Sequence, residues 1–108
     1  MPEPLTLDQL RLRLTEIDRE LIELVAERQR LSHEVARAKR ATGHPTRDYR
    51  REREVILGAR THALRVGVSP EVAEQILRLL IRSSLATQEQ ARRRRPGSSN
   101  TLSPKTTS

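Results

Sequence analysis

At 108 residues, with no Cys, Trp or Phe and a single Tyr, the chain is one small domain at most, without disulfides, thiolate metal sites or cysteine nucleophiles. Its formal charge of +7 invites a nucleic-acid reading. The excess is local, however: residues 92–108 hold five of the 21 basic residues and none of the 14 acidic ones, leaving +2 for residues 1–91.

His33, His44 and His62 are scattered, with no metal-ligand spacing. No apolar run is long enough to span a membrane. The opening MPEPLTLDQL lacks the basic flank and apolar core of a signal peptide, so a cytoplasmic setting is expected.

Residues 5–42 read as one long helix. Thr6 and Gln9 form a capping box, with Leu5 and Leu10 at the staple positions. Leu7, Leu10, Leu14, Ile17, Leu21, Leu24 (with Val25), Leu31 and Val35 recur in steps of three and four apart from one gap, the seam of a helix packed on other helices. Gly43 and Pro45 end it. A second helix is expected from Tyr49 to about Arg65, capped by Asp48 and closed by Gly67. Ser69-Pro70 opens a third, to about Arg92. No stretch alternates with period two, so the fold class is all-α. The domain is placed at residues 1–92. Residues 93–108, rich in Arg, Ser, Thr and Pro, read as a disordered basic tail.

A helix of about 37 residues extends about 55 Å, whereas a lone domain of this length has a radius of gyration near ~13 Å. The first helix therefore overhangs any core that two shorter helices supply. An intertwined homodimer of six helices is the simplest cover for its seam.

Polar groups on these seams carry the functional signal. Arg28 fills the gap between Leu24 and Leu31. Lys39, eleven residues on, lies about 20° away around the helix and about 16 Å along it, so the two side chains can converge on a small anion. Snorkelling of either stem to solvent accounts for each alone. Ser84 and Gln88 follow Leu80 on the inner face of the third helix. In RDYRRERE, Asp48 and Glu52 are an i,i+4 pair, and Arg51 precedes Val55 by about one turn, although a surface ion-pair network fits the same run. No nucleophile–base pair and no glycine-rich phosphate loop accompanies them.

The stretches LRLRLTEIDRELIELVAERQRLSHEVARAK, RDYRRERE and LIRSSLATQEQ resemble the all-helical chorismate mutases of the bacterial intertwined-dimer type, over roughly residues 5–92. Arg11, Arg28, Lys39, Asp48, Arg51, Glu52, Ser84 and Gln88 all occupy family site positions. The resemblance implies a Claisen rearrangement of chorismate to prephenate, the branch-point step toward phenylalanine and tyrosine. It also implies that no cofactor, metal or covalent intermediate is needed. It further implies that Arg28, with Arg11 from the partner subunit, binds the substrate carboxylates while Arg51 helps to order the site. Lys39 and Gln88 would donate to the ether oxygen, and Asp48, Glu52 and Ser84 would surround the ring hydroxyl and carboxylate; the catalytic set is Lys39, Gln88, Arg28 and Glu52.

The trans role of Arg11 agrees with helix geometry. It lies about 25 Å and about 100° from Arg28, too far to share a pocket from the same helix. On the same fold, a 4-amino-4-deoxychorismate mutase and an isochorismate pyruvate lyase are the neighbouring readings. A non-catalytic helical dimer that binds RNA through its basic tail is the alternative of another class. The lack of stacking aromatics and the near-balanced charge of residues 1–91 speak against it.

Overall fold

The computed structural model describes residues 3–93. Three helices follow one another, α1 (Leu7–Ala41), α2 (Tyr49–Val66) and α3 (Pro70–Arg93), and no strand occurs among the described residues. The all-α expectation holds, with each boundary within two residues of the periodic pattern. The expected basic tail, apart from Arg93, lies outside the described residues.

Both ends of α1 and α2 and the start of α3 are set by local chemistry legible in the sequence. The Thr6 backbone N–H donates to Gln9 Oε1 at 2.8 Å, and the Gln9 N–H donates to Thr6 Oγ1 at 3.1 Å, a reciprocal capping box. Gly43 takes φ +74° after α1. Its N–H donates to Arg40 O at 3.4 Å and the next one, of His44, to Lys39 O at 2.8 Å, the two bonds of a Schellman closure. Asp48 caps α2 by accepting from the Arg51 N–H at 3.0 Å. Gly67, at φ +82°, closes α2, and Val68 N–H donates to Ala63 O at 2.9 Å. Ser69 Oγ accepts from Val72 N–H at 3.4 Å, capping α3 ahead of Pro70.

The chain forms two compact units, Met1–Ser32 and His33–Ser108, divided within α1. In the first, α1 carries its apolar seam at the surface. Leu10, Leu14, Ile17, Leu21 and Leu24 are exposed, and among its described residues only Val25, Arg28 and Ser32 are half-buried. Arg13 pairs with Glu16 at 3.3 Å and reaches Glu20 at 3.9 Å, but exposed pairs of this kind add little. A seam this apolar is a surface that needs cover.

The second unit holds the end of α1 with α2 and α3, and α2 packs on α3. Its core is small. Ala36, Ile56 and Ala63 are buried together with the polar Ser84 and Gln88; the two alanines leave room for close approach of backbones. An ion-pair clip joins the helices: Arg60 donates to Glu74 at 2.9 Å and Glu71 at 3.2 Å, and Arg78 donates to Glu74 at 2.7 Å. The backbone bond at its own N–H, the Arg60 guanidinium and the Ser69 hydroxyl hold the Glu71 carboxyl below its ordinary value. Arg78 and Arg60 do the same for Glu74, and the two carboxylates raise Arg60 in return. Among the described residues, no helix is long and apolar enough to cross a membrane.

Candidate active site

Burial singles out α3. A buried Ser84 and a buried Gln88, each 7% exposed, stand one turn apart where an apolar side chain would ordinarily go. Burying a primary amide without partners costs about 1–3 kcal/mol, yet Gln88 Oε1 is buried with no hydrogen-bond partner. It lines a cavity of about 10 Å³, room for about one water, with Lys39, Ala36, Arg40, His44 and Thr46. An orphaned acceptor and an ammonium in one lining make a polar pocket rather than a packed core.

Lys39 is held there twice. Its main-chain carbonyl receives the His44 N–H in the Schellman closure, and its side-chain Nζ donates to Thr46 O at 3.0 Å. One of the three ammonium protons is thus used for orientation, leaving two for a ligand. The connection is itself braced. The Thr42 hydroxyl gives its proton to Ala38 O at 2.9 Å and stands 2.6 Å from His44 Nδ1.

The remaining predicted residues of this unit lie outside that cavity's lining. The Asp48 carboxylate is the α2 cap. Arg51 extends outward, 69% exposed, 3.6 Å from Glu54. Glu52 is only 21% exposed and accepts two parallel bonds from Arg47, both 3.0 Å. This bidentate contact raises the Arg47 pKa above its usual value. Glu52 lines a second, larger cavity between α2 and α3. The structure therefore brings Lys39 and Gln88 to one cavity, with Ser84 one turn from Gln88 on α3. In the other unit, Arg28 is half-buried and Arg11 exposed, both on α1.

Sequence reasoning missed the loop partners Thr46 and His44. The acceptor at Thr46 is a backbone carbonyl, which no residue type reveals. Nor did it single out Arg47, which pairs with Glu52 and lies 4.4 Å over the Tyr49 ring. Its position one residue before the Asp48 cap was the available signal.

The family model described as chorismate mutase type II matches residues 10–89. The chain belongs to the type II chorismate mutase family. It is similar to the T-protein of Haemophilus influenzae, 34% identical over 84 residues that cover 78% of this chain and 22% of the relative. It is likewise similar to a bifunctional chorismate mutase/prephenate dehydratase of Enterobacter agglomerans, 34% identical over 80 residues that cover 74% of this chain and 21% of the relative. The chain spans about a fifth of the length of these curated relatives.

Proposed function

We propose that this chain isomerises chorismate to prephenate, as a homodimer, in the cytoplasmic synthesis of phenylalanine and tyrosine. The observation that carries the reading is the presence of Lys39 and the buried Gln88 amide, whose Oε1 has no partner, in one polar lining. Membership of the type II family supports it.

The reaction is a [3,3] rearrangement. One C–O bond breaks as one C–C bond forms within the same molecule, so no group leaves and no base is needed. The enzyme's resources are compaction of the substrate and stabilisation of negative charge on the ether oxygen. Lys39, already oriented by Thr46, offers a charged donor to that oxygen, and Gln88 offers a neutral one. Placed ahead of the reaction, each such donor lowers the barrier by about 3–4 kcal/mol. Arg28 takes one substrate carboxylate, and Arg11 of the partner subunit takes the other. Asp48, Arg51, Glu52 and Ser84 complete the surroundings of the ring. The homodimer is supported by the exposed seam of α1, whose leucines find no cover within the first unit.

The experiment is a metal-free assay of the purified chain with chorismate, its 4-amino analogue and isochorismate side by side. Loss of the ring-diene absorbance with chorismate, with prephenate as product, is expected. Turnover of only one of the other two substrates would reassign the reaction, and turnover of none would end the enzyme reading.

A further inference from the structure

The larger cavity, about 560 Å³ between α2 and α3, shares no lining residue with the Lys39 cavity, and Glu52 is the one member of the proposed catalytic site in its lining. Its volume is in the range of small-molecule sites, about 300–1,000 Å³. Five arginines line it against two carboxylates, Glu52 and Glu74. Those carboxylates are already engaged: Arg47 grips Glu52, while Arg60 and Arg78 share Glu74. Arg53 and Arg82 remain, with no ion pair among the described residues, and both line the cavity. The rest of the lining is apolar or aromatic: Ile56, Leu57, Ile81 and Tyr49.

We infer that this cavity is a second ligand site, for an arylcarboxylate, in which Arg53 and Arg82 hold the carboxylate and the ring lies against Tyr49, Ile56 and Ile81. The charge pattern selects a pure anion. A zwitterionic amino acid would bring an ammonium to a cavity whose two acids are both taken by arginines. An inorganic anion would leave the apolar lining unused. An arylcarboxylate satisfies both halves, with charge-assisted bonds at one end and ring burial at the other.

Tyr49 makes the site self-reporting. It is the chain's only aromatic residue, so protein emission comes from the cavity wall itself. The test titrates the full chain with 3-phenylpropionate, following tyrosine emission alongside calorimetry, with phenylalanine and inorganic phosphate as comparators. The expected result is a saturable change with 3-phenylpropionate and none with the comparators. In Arg53→Gln/Arg82→Gln the affinity should fall by roughly tenfold or more, with chorismate turnover unchanged. In Lys39→Ala the affinity should be retained.

No saturable response, or equal affinity in the double variant, overturns the proposal. Equal binding of phenylalanine or phosphate overturns the ligand class. Loss of binding in Lys39→Ala would move the ligand to the other cavity. The readout needs no turnover, so it stands or falls apart from the mutase assay.

Discussion

The two units of the chain both leave large apolar side chains exposed but differ in what they bury. In the first, α1 presents leucine after leucine to the surface and buries none of them. In the second, few residues are buried, and two of those, Ser84 and Gln88, are polar. One unit is rich in apolar surface and poor in core. The other places hydrogen-bonding groups where its core should be. On the function proposed above, the difference separates two tasks: the first unit offers a face for a partner chain to cover, and the second a site for a ligand.

Mixing two damaged chains is the strongest way to break that division. Lys39→Ala removes the charged donor of the second unit and should lower kcat by about 10²–10³-fold. Arg11→Ala, in the first unit, should also disable the enzyme. Neither loss should change helicity, because neither side chain is buried in the core. Once the two variants are co-assembled, half the dimers carry one intact site, so about a quarter of wild-type sites should return. Rate assays on mixed and unmixed chains check this. Unrestored turnover would mean that Arg11 does not serve a partner's site.

A smaller effect sharpens the account of the second unit. Gly67 at φ +82° has open space around the position of a Cβ, so Gly67→Ala meets only backbone strain. It should cost about 1 kcal/mol, read as a lower thermal midpoint with site chemistry intact. Gly58, with equally open space but inside α2, is the control, since Gly58→Ala should stabilise the helix by up to about 1 kcal/mol.

The smallest expected effect is acid sensitivity of the α2–α3 clip. Glu71 and Glu74 titrate below their ordinary value of 4.5 in the folded chain. Their contribution to stability is therefore complete above that value and fades as pH falls through the depressed folded values. Melting curves from about pH 6 to about pH 3 should show the loss. Arg60→Gln, which removes a partner of both carboxylates, should have a shallower acid limb than the wild type.

How much could be read beforehand depended on range. The caps at Thr6–Gln9, Asp48 and Ser69, and the glycine closures at 43 and 67, are written within a few residues of the bonds they make. The position of Gln88 on the inner face of α3 was legible for the same reason, since a helical period needs no tertiary information. The Arg60–Glu74 clip was not legible, because it depends on the register of α2 against α3. Nor was the sharing of Glu52 with Arg47 in a cavity apart from Lys39. The i,i+4 spacing of Asp48 and Glu52 does not say what each carboxylate bonds: Asp48 caps the α2 backbone, and Arg47, reaching back from before the cap, pairs with Glu52. The comparison with relatives supplied the family and left these local assignments to the geometry.

The double hold on Lys39 has a consequence for anyone wishing to re-engineer the chain. The loop between α1 and α2 acts as a gauge block: its length sets where the Thr46 carbonyl meets the ammonium, while its first turn fixes the lysine's own carbonyl. Lengthening residues 42–46, opening the chain there for circular permutation, or grafting a tag would detune the ammonium without touching it. The turn between α2 and α3, at residues 67–69, has no bond to Lys39 or Gln88, so a change there loads the Gly67 closure and the Ser69 cap rather than the ammonium.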